Sequence, residues 1–346
     1  MHEQVLASVL ANPRVEPHLA IWGWEIATYL FFGGLAGGMM LCAGGVILAR
    51  REERAPFAAH RAPLVALVLL AAGMTTLFLD LERKINVWRF YATLRVTSPM
   101  SWGSWILLLV MPAMALLALA GLAQGFPALE RLLRRLPLVG RPVVGPIIDL
   151  CVALRRPLAG INVALGVALG IYTGVLLSGF NARPFWHSAV LGPLFLVSGL
   201  STGAAVIILG ARTAEERHLF GRIDLGVILV EMALIALYLI DMLNGDALQH
   251  QAVALLLGGT LTGLFWVGFI ALGLGLPLLL EAVSWRRPVA LLASLASVLV
   301  LVGGFLLRDV VVTAGQQTSW SNFHNQFNAG LLDRLRKDGE NPNGRF

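Results

Sequence analysis

Long apolar segments alternate with short segments rich in arginine and proline along most of the chain. Eight of the apolar segments have about 20 residues or more, the length that an α-helix needs to cross a hydrocarbon core about 30 Å thick. The pattern therefore predicts an all-α polytopic membrane protein with about eight transmembrane helices. The predicted spans are 21–49, 63–81, 101–123, 159–180, 189–211, 223–243, 253–281 and 288–315.

The composition excludes a soluble globular protein. Of the 346 residues, 57% are hydrophobic and only 13% are charged, whereas an ordinary soluble domain has roughly 25% charged residues. The net charge of +6 comes mainly from arginines that flank the spans, so it does not indicate binding to nucleic acid.

The distribution of arginine predicts the orientation in the membrane. More than half of the basic residues lie in the segments between spans one and two, three and four, five and six, and seven and eight. Since cytoplasmic loops carry an excess of Lys and Arg, these four segments are expected inside the cell. Both termini are then expected outside.

An internal repeat relates the two halves of the chain. The run Gly34–Gly38 in span one corresponds to Gly199–Gly203 in span five, and Asp80 at the end of span two corresponds to Asp241 at the end of span six. Small-residue runs in membrane helices are mainly close-packing surfaces. The expected architecture is two similar four-helix bundles, 21–180 and 181–315, between an outer N-terminal segment, 1–20, and an outer tail, 316–346.

Two connecting segments are longer than a tight turn. The outer segment 82–100 mixes aromatic and basic residues, so it is either an interfacial loop or a docking surface. The inner segment 124–158 contains an amphipathic stretch, ALERLLRRLPLVG, that is expected to lie along the lipid headgroups.

Ionisable residues inside apolar spans are costly and are therefore functional candidates. Span six holds three carboxylates at different depths, which suit either a proton route or internal partners for cations such as Arg222 and Arg308. The candidates are Glu25, Asp80, Asp224, Glu231, Asp241, Arg308 and Asp309.

Histidine and cysteine limit the redox groups that the protein could carry. Every histidine falls in a terminus, a loop or the edge of a span, whereas a di-haem membrane cytochrome needs axial histidines well inside its helices. The two cysteines are too few for an iron–sulfur cluster. At the outer side, however, His18 and Asp80 could bind a quinol headgroup and accept its proton.

Several motifs resemble the NrfD/PsrC family, the integral membrane subunits of polysulfide-reductase-type complexes. The similarity runs from about residue 18 to 316, and the segment Ser98–Trp105 is its most specific part. The motifs are WGWE at 22–25, YLFFGGLAGG at 29–38, DL at 80–81, SPMSWGSW at 98–105, GFLLR at 304–308 and AGQ at 314–316.

The resemblance implies a subunit of the cytoplasmic membrane of a prokaryote, without haem, iron–sulfur cluster or flavin of its own. Such a subunit binds menaquinone or ubiquinone near the outer surface and exchanges electrons with a four-cluster ferredoxin-like subunit. That partner commonly connects to a molybdenum or tungsten enzyme or to a multihaem cytochrome, and some family members move protons.

On this interpretation the outer ends of the first four helices form the quinol site. His18 and Asp80 are the expected headgroup and proton partners, Glu25 and Arg308 tune the electrostatics, and Trp102 and Ser104 line the site. Two alternatives stay open: a secondary transporter that uses Glu231 and Asp241 for ion coupling, and a passive anchor that only tethers a complex.

Overall fold

A computed structural model describes residues 22–318 apart from 82, 136–139, 181–182 and 287–288. Eight helices in this part of the chain are long and apolar enough to cross a membrane, which confirms the predicted fold class. They are α1 (Trp24–Leu48), α2 (Ala62–Asp80), α3 (Pro99–Gly125), α4 (Arg155–Ser178), α5 (Leu191–Gly210), α6 (Ala214–Leu243), α7 (Leu264–Trp285) and α8 (Ala290–Gln317).

Shorter helices occupy the connections. The amphipathic stretch predicted between spans three and four forms the helix Pro127–Arg135, where Arg134 pairs with Glu130 at 3.0 Å and with Asp149 at 2.7 Å. The others are Pro56–His60, Lys84–Asn86, Trp88–Ala92, Gly140–Val144, Gly145–Ala153 and Ala247–Leu257.

Helices α1 and α5 form the centre of the protein. In their most apolar 18-residue windows 78% and 72% of the residues are buried, against 50% or less in the other six spans. The two glycine runs face each other, because a Cβ atom added to Gly38 would overlap the carbonyl oxygen of Gly199. The prediction that these runs are close-packing surfaces is confirmed. The grouping into two bundles stays a prediction, since α5 packs on α1 and α4 as well as on α6 and α8.

Eight spans return the polypeptide to the membrane face from which it started. Gln316 at the end of α8 accepts a hydrogen bond from the backbone N–H of Trp22 at 3.0 Å and donates one to its carbonyl at 2.9 Å. We call this side the terminal face, predicted to be outside the cell. The opposite side, where α2, α4, α6 and α8 begin, is called the arginine face.

The arginine face has its own connection between distant parts of the sequence. The Glu216 carboxylate on α6 accepts hydrogen bonds from the backbone N–H groups of Phe57 and Ala58, at 3.2 and 2.9 Å. Nearby, Arg155 donates to Nδ1 of His60 at 2.8 Å. Burial, and then the charge of Arg155, lower the pKa of His60 from its ordinary 6.5 to about 4.

Two predicted boundaries are wrong. Helix α6 begins at Ala214 rather than near 223, because the Thr213 hydroxyl caps its first turn by accepting from the N–H of Glu216 at 3.3 Å. The predicted span 253–281 is interrupted: Ala247–Leu257 is a separate helix that ends at Gly258, and α7 starts only at Leu264. Hydropathy alone misses this break, since the residues on both sides are apolar.

Candidate functional site

A cavity of about 460 Å³ opens among the terminal-face ends of α1–α4 and the connection between α2 and α3. Its wall is mostly apolar, and Phe78 and Met100 in that wall are also exposed on the outer surface of the protein. A ligand in the cavity could therefore extend an apolar tail into surrounding lipid. The lining residues are Trp22, Ile26, Tyr29, Met74, Leu77, Phe78, Asp80, Leu81, Val87, Phe90, Tyr91, Met100, Gly103, Ser104, Leu107, Tyr172, Leu176 and Leu177.

Five side chains give this apolar cavity its polar character. Asp80 and Ser104 were predicted from the sequence, and three tyrosines join them: Tyr29, Tyr91 and Tyr172. Tyr29 interacts electrostatically with both other phenols, and none of the three hydroxyls has a hydrogen-bond partner in the described part of the protein. The phenols are thus free to donate to a ligand. Burial raises the pKa of Tyr91, which keeps this phenol protonated.

The cavity depends on a glycine in α3. A Cβ atom at Gly103 would overlap the Tyr172 hydroxyl oxygen, so only glycine leaves room for this phenol. The Ser104 hydroxyl is within 2.8 Å of the carbonyl oxygens of Phe90 and Ser101. Ser104 therefore also fixes the connecting segment to the wall of the cavity.

The other predicted quinone-site residues do not line the cavity. Glu25 lies close enough to interact electrostatically with Asp80, whereas Trp102 is 43% exposed and donates its indole N–H to the carbonyl of Val96 at 2.7 Å. His18 lies outside the described residues. Arg308, expected to tune the electrostatics of the site, lies nine residues before the end of α8, about 13 Å along the axis.

Arg308 instead belongs to a buried polar cluster among α5, α6 and α8. Its Nη1 donates to the Ser198 hydroxyl at 2.6 Å and to the Gly304 carbonyl at 2.8 Å, and its guanidinium lies over the ring of Phe195. The Ser198 hydroxyl also reaches the Glu231 carboxylate, which interacts electrostatically with Arg308. Arg308 and Glu231 are 0% and 2% exposed, so this electrostatic interaction lies fully inside the protein.

A second carboxyl group lies two helical turns closer to the arginine face. Asp224 is 0% exposed and accepts a hydrogen bond from the Ser201 hydroxyl at 2.6 Å. The carboxyl of Glu281 on α7 comes within hydrogen-bonding range of Asp224. The third predicted proton-route residue, Asp241, lies at the terminal face, where it accepts from Ser188 at 2.6 Å.

Sequence reasoning missed the tyrosines and Glu281. A usable signal existed for the tyrosines, because the sequence holds only four and three of them line one cavity. Glu281 was assigned to the end of a span, since the predicted span 253–281 was placed too early. In the structure it lies inside α7 and is 4% exposed.

The two sites can support different chemistry. The terminal-face cavity offers apolar walls, phenol donors and one carboxylate to a lipid-soluble ligand, while the polar cluster offers only groups that hold protons or balance charge. No group of three or more His, Cys, Asp or Glu side chains within the described residues could hold a metal ion.

Comparison with known proteins gives a consistent set of relatives. A family model described as "Polysulphide reductase, NrfD" matches residues 14–319. Protein NrfD of Escherichia coli is 32% identical over 313 residues, which cover 86% of this chain and 96% of that protein. The C chain of polysulfide reductase from Wolinella succinogenes is 29% identical over 309 residues, with 86% and 94% coverage. The C subunit of tetrathionate reductase from Salmonella typhimurium is 28% identical over 332 residues, with 94% and 87% coverage.

Proposed function

Because the chain belongs to the NrfD family, we propose that it is the quinone-reactive membrane subunit of a respiratory oxidoreductase complex. The family membership confirms the resemblance seen in the sequence. Relatives named as subunits of polysulfide and tetrathionate reductases support a role as the membrane subunit of a reductase complex. The observation that carries the quinone assignment is the terminal-face cavity, with one carboxylate and three phenols in an apolar wall.

The residues of the cavity fit a menaquinone or ubiquinone headgroup. When bound, a quinol supplies two electrons and two protons. In this proposal Asp80 accepts a proton at its carboxylate, and the phenols of Tyr29 and Tyr172 orient the ring oxygens. Glu25 adjusts the charge near Asp80. His18, outside the described residues, stays the second proposed headgroup and proton partner, so that each quinol proton has an acceptor.

The segment that follows α2 is the proposed docking surface for an electron-transfer partner. Ile85 and Val96 are 90% and 69% exposed, although both are strongly apolar. The same segment contributes Phe90 and Tyr91 to the cavity wall, so a partner bound there would approach the site closely. We assign this surface to a four-cluster ferredoxin-like subunit, which would lead to a molybdenum or tungsten enzyme or a multihaem cytochrome.

The polar cluster supports a proton route as a second part of the proposal. Asp224 and Glu231 lie on one buried face of α6, about 10 Å apart along its axis. Serine hydroxyls and Arg308 occupy the space between the helices, while Asp241 lies at the terminal-face end. The alternative role for these carboxylates, as partners for a cation, suits Glu231, which interacts with Arg308. Arg222, the other cation considered, lies over Trp285 instead.

The quinone assignment is tested by Asp80→Asn in the purified complex. Asn keeps the size of the side chain but cannot accept the proton, so we expect quinol oxidation to fall by roughly 100-fold or more, the usual contribution of a general base. Asp241→Asn is the matched control, because Asp241 is the equivalent residue of the repeat and lies outside the cavity.

Quinol oxidation is measured with an uncoupler present, so that an effect on proton movement does not slow electron transfer. The complex should assemble normally in both variants. Full turnover in Asp80→Asn would remove Asp80 from the mechanism, and equal losses in the two variants would point to a general effect of charge at the terminal face.

A further inference from the structure

A second cavity, of about 140 Å³, opens at the arginine face between the ends of α6, α7 and α8. Its mouth carries Arg217, His218 and Arg222 from α6 and Ser284 and Trp285 from α7, and Glu281 also lines it. Since Glu281 touches Asp224, this cavity leads from the surface to the buried polar cluster.

Glu281 has no conventional partner for its charge. It is 4% exposed, and neither of its carboxyl oxygens has a hydrogen-bond donor among the described residues. The same holds for Oδ2 of Asp224, whose other oxygen accepts from Ser201. The Asp224 and Glu281 carboxyls can therefore form a hydrogen bond with each other only when one of them is protonated and donates its O–H.

Within the described part of the chain, no cation near Asp224 and Glu281 is placed to balance two negative charges. The interaction partner of Arg308 is Glu231, and Arg222 lies over the Trp285 ring, 5.0 Å from its centroid. Arg217 and His218 lie at the mouth of the cavity. The neighbours of Asp224 from α5 and α1, Ser201 and Cys42, are neutral. Two adjacent carboxylates in such a place cannot both stay ionised, because desolvation and mutual repulsion both oppose it.

We propose that Asp224 and Glu281 share one proton, which exchanges with the solution at the arginine face through this cavity. The proton passes from water to the Glu281 carboxylate and on to Asp224, and no bond other than O–H changes. The role of this pair in energy coupling rests on the proton route proposed above. In that route the Asp224–Glu281 pair would take up the proton at the arginine face, and Glu231, which interacts with Arg308, would be the next group along α6.

Dicyclohexylcarbodiimide tests the protonation of Glu281, because it modifies protonated carboxyl groups in apolar surroundings. The whole complex is treated and the modified residue is identified by mass spectrometry. We expect Glu281 to be modified and Glu216 to stay unmodified. Glu216 is equally buried, but its carboxylate accepts hydrogen bonds from two backbone N–H groups, which favour the ionised form. No modification of Glu281, or equal modification of Glu216, would overturn the proposal.

The sharing of the proton is tested by Asp224→Asn. Without its acidic neighbour, Glu281 should ionise more easily, so the pH at which modification falls to half should decrease by at least one unit. A merely structural role for Asp224 would leave this midpoint unchanged, and an unchanged midpoint would overturn the shared proton.

Access from the arginine face is tested with Ser284→Cys, after both native cysteines are replaced by alanine. A membrane-impermeant thiol reagent should label this cysteine in vesicles only when it is added on the arginine-face side. Labelling only from the terminal face, or none from either side, would overturn the proposed path.

Measuring proton ejection by the reconstituted complex distinguishes the shared proton from the proton translocation that it would serve. If the complex ejects no protons but Glu281 is still modified, the shared proton stands and the translocation proposal fails. If the complex ejects protons and Glu281→Gln does so with unchanged stoichiometry, the uptake of the proton by this pair is overturned while translocation stands.

Discussion

The first and the last four transmembrane helices enclose different environments. In α1–α4 the terminal-face ends separate around a cavity of about 460 Å³ with a largely apolar and aromatic wall. Among α5–α8, by contrast, several buried side chains are charged or hydroxylic: Ser198, Ser201, Asp224, Glu231, Glu281 and Arg308. The repeat positions Asp80 and Asp241 show the same contrast, since Asp80 faces the cavity and Asp241 bonds to Ser188.

The two environments suit different kinds of ligand. A large cavity with few polar groups suits a lipid-soluble ligand, because little desolvation opposes its binding. A buried cluster of carboxyl, hydroxyl and guanidinium groups can instead hold protons at successive depths. The contact between α1 and α5 joins the two environments, and its glycines meet backbone to backbone.

The largest effect should come from removing the charge at the centre of the polar cluster. Arg308→Gln leaves the Glu231 carboxylate buried without its cation, which costs roughly 3–5 kcal/mol of stability for a broken buried pair. We expect little or no assembled complex in mild detergent. Arg222→Gln is the control, since this exposed guanidinium lies over Trp285 and contributes only about 0.5–1 kcal/mol.

The double variant Arg308→Gln with Glu231→Gln sharpens this result. It removes the uncompensated charge, so the yield and the melting temperature should recover toward those of the native protein. If Arg308→Gln alone assembles normally, the polar cluster does not depend on the charge of Arg308, and the contrast between the two halves loses its structural basis.

The next largest effect should come from filling the aromatic cavity. In Gly103→Ala the new methyl group would overlap the Tyr172 hydroxyl, which forces this phenol out of position. We expect quinol oxidation to fall roughly 10- to 100-fold, about 1.4–2.8 kcal/mol of activation free energy. Proton exchange at Glu281 should not change, because the two sites are separate.

Gly160→Ala on α4 is the matched control, since a Cβ atom there would meet nothing within 4 Å. Both variants must assemble to the same extent for the comparison to hold. Normal quinol oxidation in Gly103→Ala would exclude Tyr172 from the site.

Much of the fold could be predicted from the sequence, because the membrane imposes a length and a polarity on each span. The eight spans and the close approach of the glycine runs follow from these rules. The interruption after Leu257 could not be read from hydropathy, since Gly258 and Gly259 change the backbone without changing the polarity of the segment.

The sites were harder to predict because they depend on contacts between distant helices. Asp80 was identified as an ionisable residue in a span, and the structure places it in a cavity wall. The sequence did not show that the Arg308 side chain turns toward Ser198, or that Glu281 meets Asp224 across two helices. Both contacts are set by which faces of α5–α8 pack together.

A smaller effect is expected where the two ends of the described region meet. Gln316 holds the backbone of Trp22, a cavity residue that also stacks on Trp186 with ring centroids 5.2 Å apart. Gln316→Ala should loosen this wall and raise the KM for quinol about tenfold at nearly unchanged kcat, because it removes binding rather than chemistry.

Gln317→Ala is the matched control for this positioning role. Its side chain is exposed, and within the described residues it bonds only to Thr260, at 3.2 Å. A fall in kcat without a change in KM in Gln316→Ala would contradict the assigned role, as would equal effects in the two variants.

The smallest effect concerns the connection at the arginine face, where the α1–α2 segment meets α4 and α6. The pKa of His60 is about 4 in the folded protein and 6.5 ordinarily, so the folded state binds fewer protons than the unfolded state between these values. The stabilisation from neutral His60 is therefore complete above about pH 6.5 and is lost as the pH falls toward 4. Since His60 is only half-buried, we expect about 1 kcal/mol.

The measurement is the melting temperature of the complex between pH 7.5 and 4.5, compared with that of His60→Gln. The native protein should lose a few degrees more than the variant, because only its histidine must take up a proton beside Arg155. Identical slopes would show that the charge of His60 does not affect the stability of this connection. A steeper loss in the variant would mean that the imidazole stabilises this face in its protonated form, with Glu52, which lies 3.5 Å from Arg155, as the available counter-charge.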